Sequence, residues 1–208
     1  MAQAYPEYMH ISEVETPALL VDLDILDRNL VRVADYARRH GLRLRPHTKT
    51  HKSIHLARRQ LELGAAGLTV AKVGEAEVML AAEPADLLVA FPVIGSAKLE
   101  RLMAVARRAR VTVALDSMEA ARPLSGAAAA AQVEIGVLAE TDVGLGRVGV
   151  DPGAPLLALA QLIARLPGLS FEGIAFYPGH INLNPAVPCA ATRHLLHPQW
   201  HASPMLVT

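Results

Sequence analysis

The sequence has one cysteine, Cys189, no surplus of charge of either sign, and no apolar run as long as a membrane span. Each lack excludes something. A single cysteine forbids an intrachain disulfide and fits a reducing compartment. Twenty Lys and Arg against twenty Asp and Glu leave a formal net charge of zero. A protein that lives by gripping nucleic acid carries a basic excess instead. The most apolar stretch, residues 124–139, is interrupted by Gln132 and Glu134. The opening residues have no basic segment followed by an apolar one, so no signal peptide is expected. A soluble, cytoplasmic protein is the expectation. What the chain does have is apolar side chains, 52% against 19% charged in 208 residues, which can fill one good-sized core.

Short β-branched runs alternate with longer helical stretches. Strands are expected at 18–23, 42–47, 67–71, 86–91, 111–115, 133–138 and 170–176. Helices are expected at 25–40, 53–63, 74–82, 96–109, 118–131 and 154–166. In the first helix, Leu26, Leu30, Val33 and Ala37 share a face, and Gly64 ends the second as a C-terminal cap. Pro123 and Gly126 are expected to bend or interrupt the fifth. This alternation demands parallel strands joined by right-handed crossovers. Periodicity leaves two α/β architectures open, a barrel and a doubly wound sheet. In both, chemistry belongs just beyond the carboxyl ends of the strands. Lys49, Lys72, Glu75, Asp116, Asp142, Arg147, Tyr177 and His180 all follow strand ends.

The segment RPHTKTHK, residues 45–52, packs Arg45, His47, Lys49, His51 and Lys52 into eight residues. Positive neighbours disfavour an ammonium, leaving a free amine able to form a Schiff base. The plain alternative is a solvated basic turn, but Pro46 stiffens the approach and the cluster lies on the chemical side of the fold. Arg147 sits among Gly144, Gly146 and Gly149, where backbone can approach a flat ligand. Its plain alternative is a surface pair with Asp142. Glu75 is expected to cap or pair on its helix, His55 to be a satisfied structural histidine, and Asp116 to cap the following helix. The letters GLGRVG at 144–149 come too late in the chain for a dinucleotide fingerprint.

Taken in order, RPHTKTHK, GAAGLTVAKVGEAEVM at 64–79, ETDVGLGRVGV at 140–150 and FYPGH at 176–180 resemble the D-threonine aldolase and D-serine dehydratase group. That group has the alanine racemase-like N-terminal fold of pyridoxal 5′-phosphate (PLP) enzymes, and the match runs from about Glu15 to about His180. The resemblance implies that Lys49 forms the Schiff base with PLP and that Arg147 faces the pyridine nitrogen. It implies that Tyr177 and His180 line the cofactor pocket, with His180 able to move a substrate proton. Lys72 has only a supporting part. The fold implied is a partial (β/α)8 TIM-type barrel at 25–180. Strand 18–23, within a lead-in at 1–24, would pair with a second, β-rich domain.

The sequence also departs from that group. Six barrel strands precede His180 where a closed barrel needs eight. No glycine-rich phosphate cradle and no C-terminal β-domain with its metal-binding His/Cys or His/Asp pair follow. The tail at 181–208 lacks Asp, Glu, Lys and Gly altogether, yet holds the only Trp, Trp200, with Cys189, His194, His197 and His201. It reads as residues outside the family pattern, from truncation or a frame shift. A rival reading, a metal site of His194, His197, His201 and Cys189, has no convincing scaffold. The resemblance thus implies a PLP-dependent lyase acting on a β-hydroxy D-amino acid by aldol cleavage or dehydration, a divalent metal and a homodimer in the whole enzyme. Truncation would limit this chain's turnover. A PLP-binding carrier and an amino-acid racemase are the alternatives.

Overall fold

The computed structural model describes residues 10–180 and a two-residue strand at 206–207. Asp22 caps the first helix, α1 (Leu23–Arg39), by accepting from the Ile25 amide at 2.9 Å. The chain before it is not a strand. Leu19, Leu20 and Val21 are exposed and pair with nothing among the described residues. No strand forms at 18–23 among the described residues: apolar β-branched letters make a strand only where a ladder partner takes up the backbone groups, and the partner expected for it is a second domain.

The remaining elements follow in strict alternation: β1 (Arg43–Leu44), α2 (Ile54–Glu62), β2 (Leu68–Val70), α3 (Val73–Met79), β3 (Asp86–Val89), α4 (Ser96–Ala106), β4 (Arg110–Leu115), α5 (Met118–Ala131), β5 (Ile135–Glu140), α6 (Ala154–Ile163) and β6 (Leu169–Ala175). Strands β2 to β6 form one parallel sheet in sequential order. A bridge between His47 and Thr69, with Ala66 and Thr69 amides donating to Leu44 and Pro46 carbonyls, sets β1 beside β2. A last strand, β7 (Leu206–Val207), pairs parallel to the other side of β1. A doubly wound sheet reverses its strand order at a switch point, and this order never reverses. It is the order of a barrel, with the six strands expected before His180.

Two boundaries moved for identifiable reasons. Pro123 does not break α5, which runs unbroken from Met118 to Ala131 with Ala120, Ala121, Leu124, Ser125 and Ala128 buried. Packing of that face outweighs the lost hydrogen bond, about 3 kcal/mol in a helix interior. The helix then closes with Gln132 in the left-handed region and the Val133 amide donating to the Ala128 carbonyl. Val133 is therefore spent on the helix end, and β5 starts and stops two residues later than expected. Gly64 does cap α2: at φ +97° it lets its own amide reach Leu61 and that of Ala65 reach Gln60.

Strand side chains alternate between two interiors. Leu87, Val89, Val111, Val113, Leu115, Ile135, Val137 and Ala139 face the helices and form the main core with Ala76, Met79, Leu102, Leu124 and Ile163. The opposite face holds a smaller apolar layer of Leu88, Ala114 and Leu138, flanked by Ala90 and Ala175. Toward the strand starts this inner face is charged. Arg45 meets Asp86 at 2.6 Å, Arg110 meets Glu172 at 2.5 Å, and Thr112 donates to Glu172 at 3.1 Å. Gly136 leaves the room Glu172 occupies, since a Cβ there would run into the carboxylate.

Candidate active site

Beyond the strand ends, the chain after β1 turns through a short 3-10 helix, Thr48–Thr50. Thr48 fixes this turn from below: it is buried, and its hydroxyl donates to the Thr69 carbonyl at 3.2 Å. Thr50 donates to the His47 carbonyl, and Ser53 starts α2 by capping the Leu56 amide. The turn leaves Lys49 exposed, with no ion pair or side-chain hydrogen bond among the described residues. Its neighbours are sorted more finely than the letters suggest. Arg45 lies one layer down, 1% exposed, with its charge met by Asp86. Lys52 turns to Glu75 at 3.6 Å. Burial, and then the Lys49 charge, push the His47 imidazole below its ordinary range, and burial does the same to His51. The basic cluster is thus an ion-paired Arg45 and Lys52, two histidines held below their ordinary range, and Lys49 without an ion pair among the described residues.

The loop after β5 supplies the opposite wall. Asp142 accepts from the amides of Gly144, Leu145 and Gly146 at 2.9–3.1 Å, and these bonds hold its carboxyl below the usual range. It is spent on the loop and is not paired to Arg147. Gly149, at φ +106°, returns the chain so close to β5 that a Cβ would collide with the backbone of Thr141 and Asp142. Two ladder bonds follow, Val150 amide to Glu140 carbonyl and Asp142 amide to Val150 carbonyl, both 3.0 Å. The glycine therefore serves closure of the loop on its own strand. Asp116 takes the Gly149 amide at 3.1 Å, while Ser117 does the capping of α5 that Asp116 was expected to do.

The loop meets the segment after β6 at two points. The Arg147 guanidinium lies 5.5 Å from the centroid of the Tyr177 ring, and Gly144 packs beside the His180 imidazole. Arg147 has no acidic partner at ion-pair distance among the described residues. Lys49, Glu75 and Arg147 are the charges that bear on the His47 imidazole, and the turn after β1 and the loop after β5 both leave the carboxyl ends of parallel strands. Glu75 accepts from the Ala71 amide at 2.8 Å, a cap as expected. His55 is on α2 but exposed, without the hydrogen bond a structural histidine would make. Lys72 precedes α3 without a side-chain capping bond. His194, His197, His201 and Cys189 lie outside the described residues.

Sequence reasoning missed Glu140. It is 7% exposed at the end of β5, and its Oε2 has no hydrogen-bond partner among the described residues. Burial, and then the Asp116 charge, push its carboxyl above the usual range. The available signal was period two: Glu140 follows Leu138 and Gly136 on the inner face.

The model of the alanine racemase N-terminal domain matches residues 21–195. The chain belongs to that family. It is 42% identical over 171 residues to a D-threonine aldolase of Arthrobacter sp, covering 82% of this chain and 45% of that protein. It is 39% identical over 173 residues to a 3-hydroxy-D-aspartate aldolase of Paracoccus denitrificans, with the same coverage of 82% and 45%. Among solved structures, a D-threonine aldolase from Filomicrobium marinum superposes with a TM-score of 0.77 at 44% identity, over 79% of this chain and 44% of that one. The chain thus spans under half the length of these relatives.

The family implies PLP, and the residues present fit part of it. A lysine without an ion pair, an arginine without an acidic partner and a buried carboxylate oxygen without a hydrogen bond among the described residues all lie at the carboxyl ends of the strands. They suit the aldehyde and ring end of the cofactor. The described residues supply no cradle for its phosphate. No group of three His, Cys, Asp or Glu among them could hold a metal. No described helix is long and apolar enough to cross a membrane.

Proposed function

We propose that this chain is the cofactor-binding part of a PLP-dependent lyase that cleaves β-hydroxy D-amino acids. The observation that carries the reading is Lys49, an exposed lysine with no ion pair among the described residues, placed like Arg147 just beyond the carboxyl end of a parallel strand. It lies in a chain 42% identical to a D-threonine aldolase. In this reading residues 25–180 form the cofactor domain, with 1–24 leading in and 181–208 outside it. Lys49 ties the cofactor to the turn after β1, and PLP, when bound, draws electron density from the substrate Cα. Arg147 is always charged and only donates, so at the ring nitrogen it keeps that nitrogen unprotonated. Tyr177 supports the guanidinium through its ring face, and His180 takes or returns the proton of the substrate hydroxyl. His47 and His51, held below their ordinary range, leave the surroundings of Lys49 less cationic than the letters imply. A divalent metal polarising that hydroxyl, and the second subunit of a homodimer, belong to the length the relatives have beyond this chain. The setting is the cytoplasm.

The test is product formation. The purified chain with PLP and a divalent metal is incubated with D-threonine, and glycine and acetaldehyde are measured. With the metal and phosphate ends outside this chain, the expected result is PLP bound through Lys49 and only slow product from D-threonine, none from L-threonine, and neither bound PLP nor product with Lys49→Ala. Pyruvate and ammonia from D-serine instead would make the chain a dehydratase. PLP bound without any product would leave it a carrier.

A further inference from the structure

The chain leaves the sheet after β1 to present Lys49, and its bonding to β2 changes at that point. The Ala66 amide donates to the Leu44 carbonyl and the Thr69 amide to the Pro46 carbonyl, both at 2.8 Å. The acceptors step from residue 44 to 46 while the donors step from 66 to 69, so β2 carries one residue too many, as in a bulge. Pro46 has no amide to give back. Thr69 makes up the local loss. It is wholly buried between Leu68 and Val70 and pairs in register with Leu88 of the inner apolar layer. A valine would fill that place as well, and a buried hydroxyl without a partner is costly. The Thr69 hydroxyl has one: it donates to the Arg45 carbonyl at 2.8 Å, while the Thr69 carbonyl accepts from the Thr48 hydroxyl at 3.2 Å. One residue of β2 thus grips the chain at 45, 46 and 48, immediately before Lys49. Thr48 carries the grip past it, since its carbonyl accepts the amides of His51 at 3.3 Å and Lys52 at 2.8 Å. Lys52 stands at φ +51°, a backbone conformation a lysine keeps only where its surroundings hold it.

We propose that Thr69 is the positioning residue for Lys49: its hydroxyl, carbonyl and amide fix the backbone of the turn, and so the place from which the Lys49 amine reaches out. Lys49 is exposed, with no side-chain bond among the described residues to hold its long stem, so its placement depends on the backbone beneath it. The grip stands on the contacts themselves, and only its consequence for the cofactor rests on the PLP reading.

The test uses the full chain, 15N-labelled, as wild type, Thr69→Val, Thr69→Ser, Thr48→Val and Thr112→Val. Valine keeps the shape and removes only the hydroxyl. Thr112 is the control: it is equally buried, lies across Leu88 in the same row of the sheet, and bonds Glu172 away from the turn. Amide exchange at Lys52 reads the hold on Thr48. It is expected to quicken about tenfold in Thr69→Val and Thr48→Val, and to stay near wild type in Thr69→Ser and Thr112→Val. PLP affinity, read by visible absorbance, falls about tenfold in the same two valine variants and is kept in Thr69→Ser, because the amine is no longer held in place. Lys52 exchange unmoved in a folded Thr69→Val overturns the proposal, and so does an equal effect of Thr112→Val, which would mean loss of general stability. Quickened exchange with PLP affinity intact overturns the positioning role. If Thr69→Val does not fold, Thr48→Val against Thr112→Val decides. A wild type that binds no PLP overturns the PLP reading instead, while Lys52 exchange still decides the grip.

Discussion

His47 and His51 flank Lys49, and burial holds both imidazoles below their ordinary titration range. His51 also has a buried Nε2 without a partner. A histidine whose folded pKa is depressed contributes stability that is complete above the unfolded value, about 6.5, and is lost as pH falls below it. Glu140 and Asp86 are raised by burial, so they act in the opposite sense and the net profile mixes both. The His51 share is isolated by difference. His51→Gln is expected to shrink the loss of urea midpoint between about pH 7.5 and about pH 5.5 relative to wild type. An unchanged loss would contradict a half-buried His51 whose imidazole is held below its ordinary range. At this scale the sequence singled out letters and not what each touches. Lys49, Arg147, Tyr177 and His180 were singled out because they stand in motifs. That Asp116 and Asp142 hold the loop, and so leave Arg147 without an acid, depends on contacts up to 33 residues apart.

Pro123 is exposed in the interior of α5, and the amide it lacks would have donated to Glu119. Pro123→Ala restores that bond without removing packing. It is expected to stabilise the chain by about 2 kcal/mol, read as a rise in Tm. The reverse holds at Gly149, whose φ of +106° and close approach to Thr141 leave no room for a side chain. Gly149→Ala is expected to cost about 2 kcal/mol or more and to loosen the loop, seen as faster amide exchange at Val150. Most elements were legible from periodicity and caps, as with Gly64 and Ser53. The failures share a cause: each depended on a partner. Residues 18–23 have strand letters and no ladder. The end of β5 moved because Val133 was claimed by the close of α5, and that shift hid Glu140 beyond the expected strand end.

Across the molecule, the strands are joined through their inner face by Arg45, just after β1, Asp86 and Arg110, which open β3 and β4, and Glu172 within β6. Burial pushes Asp86 up and Arg45 down, the desolvation cost standing ahead of the attraction in both. The pair therefore specifies which strands face one another more than it adds stability. Asp86→Asn, which leaves Arg45 buried and unpaired, is expected to cost about 3–5 kcal/mol, and the double variant Arg45→Met with Asp86→Leu to recover most of it. Denaturant titration of the three proteins checks this, and a double variant as weak as the single would contradict it. Strand alternation was legible in the sequence, but choosing a barrel needed the spatial order of the strands, which periodicity does not carry. The charged inner layer stayed hidden because Arg45 reads as one more cation in a basic motif. The central claim remains that Lys49 is the cofactor lysine. The direct measurement is borohydride reduction of the chain with PLP, followed by peptide mass mapping. The account predicts one reduced pyridoxyl adduct, on Lys49, absent from Lys49→Ala. An adduct on Lys72 or Lys52 instead, or none at all, would contradict it.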